Sequence, residues 1–339
     1  MKAAVLYEFK KPLSVEEVAR PKPSADEVLI EVEACGVCHS DLHVSDGDWV
    51  ELARIIKRPL ILGHEIAGRV VERGERVDGL RISDRVGIPW IHKTCGECEL
   101  CREGCENLCL KQQITGVTVD GGYAEYVKAP ASHAILIPDS LSPTEAAPLF
   151  CAGVTVYRAL RQAGLAPGQR LAVFGVGGLG HLAVQIGREL GAEITAVDVA
   201  EEKLALASSL GASAGLNARS GDVVRVLRAG GGVHVAIVTS AAKGAYDMAF
   251  PCLRPTGTLL AVGLPAEHIC FPPILLAAGE IRIRASAVGT RKDIREVLAM
   301  AAAGRLRCQT ARRPLAEVNA VIEELRQGRI SGRAVLTPH

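Results

Sequence analysis

Residues 171–199 read LAVFGVGGLGHLAVQIGRELGAEITAVDV, and the parsing of this stretch decides the fold. LAVFGV is an apolar run of strand length. HLAVQIGREL carries apolar residues at helical spacing, and EITAVDV is a second strand ending near Asp198. Strand, helix and strand form a βαβ unit, whose two strands run parallel. The turn holds Gly175, Gly177 and Gly180 as G-x-G-x-x-G, with Gly178 and Leu179 between the last two. A bare glycine pattern of this kind is weak. A strand before it, a helix after it and an acid 23 residues beyond the first glycine make it a dinucleotide site. The first glycine permits the tight turn, the second lets a pyrophosphate approach the backbone, and the third lets the helix pack. The positive helix N-terminus then faces the phosphates. Asp198 can accept a hydrogen bond from the ribose 2′-OH and would repel a 2′-phosphate, so NAD is expected rather than NADP. Lys203, five positions on, is expected to touch the ribose or solvent.

Working outward, the alternation continues with helices in EEKLALASSLG and DVVRVLRAGG and strands in HVAIVTS, GTLLAVGLP and IRIRASAVG. This predicts an α/β fold, a doubly wound parallel sheet. Before it, KAAVLYE, EVLIEVEA, GRVVERGERV and DRVGIPW alternate apolar and polar residues between glycine and proline turns, as half-buried strands do. Alternating strands are expected again over 116–138. LSPTEAAPLFCAGVTVYRAL then turns helical, with Ser142 or Thr144 near a capping position and Cys151 inside the run. After 289 the pattern leaves the parallel sheet, with an amphipathic helix at 315–327, and this end is expected to rejoin the first domain.

Two clusters carry metal chemistry. Residues 35–43, CGVCHSDLH, and Gly63-His64-Glu65 bring cysteines, histidines and acids into one window, and thiolates with imidazoles are the ligand set zinc prefers. Cys35 and Cys38 form a C-x2-C pair between which chemistry alone does not choose. Further on, Cys95, Cys98, Cys101 and Cys109 have the spacing C-x2-C-x2-C-x7-C, which can close on one ion as a structural zinc site. Iron–sulfur ligation would place the fourth cysteine three residues on and before proline, and neither holds. Cys105 is a spare thiol within the loop.

Composition narrows the class. The 339 residues suffice for two domains, and 48% apolar with 23% charged residues is ordinary globular balance. A net charge of +1, with no basic block interleaved with aromatics, offers nothing to nucleic acid or an anionic membrane. No apolar run approaches membrane-spanning length and the start lacks a signal-peptide core, so a cytoplasmic location is expected. Eleven cysteines in such a chain point to metal or catalysis rather than disulfides.

With these residues in place, the chain resembles the zinc-dependent medium-chain alcohol dehydrogenases over essentially its whole length. Residues Gly63 to Val77 fit that family's signature GHE-x-x-G-x5-G-x2-V at every fixed position. The resemblance implies a GroES-like, β-rich catalytic domain from residues 1–152 and 289–339, with an inserted Rossmann domain at 153–288. A structural zinc lobe is expected at about 92–112. It implies Cys38, His64 and Cys151 as ligands of the catalytic zinc, selecting Cys38 over Cys35. Glu65 belongs to that metal site, and with Asp41 it orients the ligands. Cys95, Cys98, Cys101 and Cys109 match the second, structural zinc. Ser40 and His43 match a proton relay, and Thr155 matches a residue beside the nicotinamide. His39 and Arg333 match positions facing the cofactor pyrophosphate.

The resemblance therefore implies NAD-dependent oxidation of a small primary alcohol, or its reverse on an aldehyde. Trp49 and Trp90 fall where the microbial branch narrows its pocket, and that branch suggests a homotetramer, with a dimer as the smaller form. Polyol, formaldehyde or threonine oxidation is the neighbouring alternative. A non-catalytic, crystallin-like nucleotide binder is the remote one, since such relatives commonly lose the metal ligands. Ser83 departs from the family, which usually has glycine before Asp-Arg-Val, and this bears on a turn.

Overall fold

The computed structural model describes residues 1–49, 53–219 and 221–339. Contacts divide the chain into Met1–Val154 with Val288–His339, and Thr155–Ala287. The sequence placed these breaks after residues 152 and 288.

In the unit Thr155–Ala287 the apolar runs form a six-stranded sheet. Its order is Ala214–Asn217, Glu193–Asp198, Arg170–Phe174, Val233–Val238, Leu253–Ala261 and Arg282–Ala285. Every neighbouring pair is parallel. Numbered along the chain the order is 3-2-1-4-5-6, that of a doubly wound dinucleotide-binding sheet. The central strands are covered on both faces, which is why they read as unbroken apolar runs: Leu171 to Phe174 and Val235 to Val238 are all buried. The helices Gly180–Glu189, Glu201–Ser209 and Val223–Ala229 lie where the sequence placed helices. The short helices Lys243–Ala249 and Pro273–Gly279 carried no clear periodic signal.

In the other unit the strand Glu27–Gly36 pairs antiparallel with Glu65–Arg73, with Tyr126–Pro130 and with Arg333–Thr337. Val335 stands opposite Gly36 and Leu336 opposite Cys35, so the last strand completes a sheet begun at the other end of the chain. The core gathers Val28, Ile30, Val32, Leu62, Ile66, Val86, Tyr123 and Leu336.

Two local expectations are corrected. Residues 116–138 hold strands only at Tyr126–Pro130 and Ile135–Leu136, with a 3-10 turn at Ala131–His133 between them. Before them Ile114 to Val117 and Gly121 to Ala124 are buried as two consecutive blocks of a glycine-bearing bend, so the alternation of residue types there marks no strand. The helical run after Ser142 is also not continuous. Ser142 caps Pro143–Ala146 in a reciprocal box with Glu145, a 3-10 turn follows at Ala147–Phe150, and Ala152–Gln162 is the main helix. Cys151 occupies the break, at φ −128° and ψ −71°. No helix among the described residues is long and apolar enough to cross a membrane.

Candidate metal and dinucleotide sites

Cys38 is the N-cap of the helix His39–Asp46, directly after the core strand Glu27–Gly36. The third helical residue, Asp41, is buried and organises the site. Its Oδ2 accepts from Cys38 N–H at 2.9 Å and from the Tyr123 hydroxyl at 2.9 Å. Its Oδ1 lies 3.2 Å from Gly63 N and 3.1 Å from His64 Nδ1. Four donors fill the roughly four acceptor positions of an ionised carboxylate, so Nδ1 of His64 carries the hydrogen. Nε2 is left with a lone pair, and this buried atom has no hydrogen-bond partner among the described residues. Buried polar atoms are rarely left so without a reason.

The reason lies beside it. Cys38 Sγ stands 4.0 Å from Cys151 Sγ, and ligand atoms of Cys38, His64, Glu65 and Cys151 all lie within 4.8 Å of one another, every one buried. A hydrogen bond from the Cys151 thiol, with help from Arg333 and His64, holds Cys38 well below the ordinary thiol range. Such a poised sulfur is a ready metal ligand. Glu65 is pushed up to about 7 by burial, against the pull of Arg333. Gly36 makes room for it, because a Cβ there would sit 1.9 Å from Glu65 Oε2. Arg333, expected to face a pyrophosphate, is 2% exposed and pairs through Nη2 with Glu65 Oε1.

Around this group, the Cys38 thiol lies 3.7 Å from Ser40 Oγ. His43 follows one turn later on the same helix, its ring stacked on Trp49 at 4.6 Å and 20°. Trp90 stands edge-on to His64 at 4.8 Å. His39 is exposed. Thr155 is buried in the helix Ala152–Gln162, one turn past Cys151. Cys35 points into the core with its thiol raised by burial and takes no part in the cluster. His92 and His133 are buried and His268 is exposed, none of them in a cluster.

Cys95, Cys98, Cys101 and Cys109 converge as expected. A tetrahedron with metal–sulfur bonds of about 2.3 Å has edges of about 3.8 Å. The measured separations are 3.6 Å for Cys109–Cys95, 3.9 Å for Cys95–Cys101 and 4.0 Å for Cys98–Cys109. Backbone N–H groups of Glu97 and Cys98 bring the Cys95 thiol down to about 6. Glu106 ties this loop to the protein body: its Oε1 accepts from Arg291 N at 3.1 Å and Nε at 3.0 Å.

In the other unit Gly175 takes φ +93°, and a Cβ on Gly180 would sit 1.8 Å from Gly175 O. A Cβ on Gly177 would meet nothing within 4 Å, which leaves the open approach a pyrophosphate requires. Gly178 and Leu179 complete the turn, Leu179 being the N-cap of Gly180–Glu189. Asp198 accepts from Val176 N at 2.6 Å, Val199 N at 2.8 Å and Ala200 N at 3.1 Å. Three backbone donors leave about one acceptor position for a ribose hydroxyl. Lys203 is half-buried in the first turn of Glu201–Ser209.

Tyr123 and Asp48 are side chains to which sequence reasoning gave no role, and the structure sets them against Asp41 and His43. Tyr123 lies far along the chain from Asp41 and carries no local signal. Asp48 lay in plain view, and only a fold that turns it back onto His43 gives it a partner.

Comparison with known proteins agrees with this geometry. Residues 24–139 match the family description "Alcohol dehydrogenase GroES-like domain", and residues 178–303 match "Zinc-binding dehydrogenase". The chain is 46% identical over 337 residues to an alcohol dehydrogenase of Geobacillus stearothermophilus, covering 99% of each. Its structure is similar to that of the alcohol dehydrogenase of the hyperthermophilic archaeon Aeropyrum pernix, with a TM-score of 0.94 and 38% identity over all of both chains. It is also similar to the acetophenone reductase of Geotrichum candidum, solved in complex with NAD. There the TM-score is 0.90 with 31% identity, over 99% of this chain and 96% of that one.

Proposed function

This chain belongs to the zinc-dependent medium-chain alcohol dehydrogenases, and on that premise we propose that it oxidises small primary alcohols to aldehydes with NAD, reversibly. The observation that carries the reading is His64 Nε2, buried and unpartnered, converging with the thiols of Cys38 and Cys151. These three residues, with Glu65 behind them, would hold a catalytic zinc, and the four-cysteine loop a structural one. Bound there, zinc supplies Lewis acidity that makes an alcohol hydroxyl more acidic, and NAD supplies the two-electron hydride acceptor.

The chain's own groups do the rest. Asp41 fixes the tautomer and direction of His64. Ser40 takes up the hydroxyl proton and His43 delivers it to water, so that alcohol and NAD⁺ become aldehyde, NADH and one proton. Thr155 packs beside the nicotinamide and His39 offsets pyrophosphate charge, while Arg333, buried on Glu65, braces that carboxylate behind the metal ligands. Asp198 selects NAD through its remaining acceptor position, with Lys203 near the ribose. Trp49 and Trp90 narrow the pocket toward short substrates.

A cytoplasmic location accords with eleven cysteines that all stand as free thiols. A homotetramer, with a dimer as its smaller unit, accords with the exposed edge strand Arg282–Ala285 and the exposed Ile274 and Leu275 nearby.

The test is a steady-state survey of ethanol, sorbitol, threonine and their oxidised forms with NAD and NADP, with metal analysis of the same protein. Fastest turnover of a short primary alcohol with NAD, and about two zinc ions per chain, are expected. Sorbitol or threonine as the best substrate would move the assignment to the neighbouring activities. Cys38→Ser or His64→Ala should abolish oxidation while NADH binding persists, and activity retained in either would sink the metal assignment.

A further inference from the structure

We propose that Asp48 is a positioning residue for proton release, holding His43 in the tautomer whose Nε2 receives the proton that leaves the alcohol. This rests on reading Ser40 and His43 as the proton path.

The helix His39–Asp46 ends on Gly47 at φ +65°, whose N–H donates to His43 O at 2.9 Å. A Cβ on Gly47 would lie 2.7 Å from the Phe9 ring, so this left-handed turn needs glycine twice over. The turn folds the chain back on itself. Asp48 N–H reaches His43 O at 3.4 Å, and both carboxylate oxygens come to 3.0 Å from His43 Nδ1. The next residue, Trp49, stacks on the imidazole. The helix end is itself anchored: Arg326, on the helix Val318–Arg326, grips both oxygens of Asp46 at 2.9 and 3.1 Å.

Donor and acceptor chemistry then settles the ring. An ionised carboxylate only accepts, so Nδ1 must carry the hydrogen, and in the neutral ring Nε2 then holds the lone pair. Asp48 does for His43 what Asp41 does for His64: in each pair a carboxylate on Nδ1 reserves Nε2 for the chemistry. A ring flip would keep the Trp49 stack, because the ring plane is unchanged, but would break the Asp48 bond. The proton accepted at Nε2 can leave from that nitrogen to water, so only N–H and O–H bonds form and break. While it stays, the Asp48 carboxylate lies against the imidazolium charge.

A double-mutant cycle on the zinc-loaded enzyme, read as single-turnover NADH formation from ethanol, tests this, with Asp48→Ala, Asp48→Asn and His43→Gln. Asp48→Ala should slow the reaction roughly tenfold, a modest share of the 10²–10⁴ that a positioned proton-transfer group contributes. Ethanol KM should change less than about twofold, and Asp48→Asn, which keeps an acceptor oxygen, should recover part of the rate. In the His43→Gln background Asp48→Ala should cost nothing further. An equal loss in both backgrounds would show that Asp48 does not act through His43 and would overturn the proposal.

A second readout is independent of turnover. In histidine-labelled protein, ¹⁵N shifts assigned through His43→Gln should show Nδ1–H in the wild type and a tautomer mixture in Asp48→Ala. An Nε2–H ring in the wild type refutes the proposal directly. If His43→Gln leaves the rate unchanged while Nδ1–H is seen, the positioning stands but the proton path itself fails, and the inference falls with it.

Discussion

Ser83 takes φ +73°, a left-handed conformation where the family usually has glycine. Its N–H donates to Val70 O at 2.8 Å and its carbonyl accepts from Arg69 Nη1, so the turn is held despite the side chain. An L-residue there costs about 1–2 kcal/mol, and glycine would lose about 0.5–1 kcal/mol in backbone entropy. Ser83→Gly is therefore expected to stabilise the protein by about 0.5–1 kcal/mol and raise its melting temperature slightly, with no change in metal content. A lower melting temperature in calorimetry would count against the strain argument. Cys35 and Cys38 show the same dependence on local geometry. Cys35 lies within the core strand and its side chain enters the apolar interior, whereas Cys38 heads a helix and turns toward His64.

At the scale of elements, the four-cysteine loop is a satellite with little apolar core, held by its sulfurs, by Glu106 on Arg291 and by the buried His133, and His92 is buried close by. Thr94 N, next to Cys95, donates to His133 Nε2 at 3.2 Å, which requires a neutral ring. Burial is the leading cause that brings both His92 and His133 down to about 4. Between pH 6.5 and 4 the unfolded chain binds more protons at these sites than the folded one. Their stabilisation is fully present above pH 6.5 and is lost as pH falls toward 4. Each contributes on the order of 3 kcal/mol across that window. Denaturant midpoints measured from pH 7 to 4.5 should fall for the wild type and fall less steeply for His133→Gln. Parallel curves for the two proteins would remove His133 from this account.

At the scale of the whole molecule, the six-stranded sheet ends on Arg282–Ala285, four exposed residues with an open hydrogen-bonding edge. Beside it the helix Pro273–Gly279 has no buried residue, with Ile274 at 73% exposure. An open strand edge beside exposed Ile274, Leu275 and Ile283 invites pairing with another copy, and two such edges can extend one sheet across a two-fold axis. Ile283→Lys is expected to shift the protein to a smaller species in light scattering at micromolar concentration. An unchanged mass would place the contact on another face.

Read alone, the sequence determined the βαβ unit, the two groups of metal-ligand residue types and the acid ending the second strand, because these depend on periodicity, glycine stereochemistry and short spacing, all local properties. It also carried the split of the chain between two patterns of alternation. Tertiary structure decided what local pattern cannot encode. It set the break that turns Cys151 toward Cys38, the four donors on Asp41, the pairing of Arg333 with Glu65 and the return of Asp48 onto His43. Three of these four join residues far apart in the chain. Packing of the two chain ends into one sheet brings such groups to within 3 to 4 Å, and spacing along the sequence does not encode it.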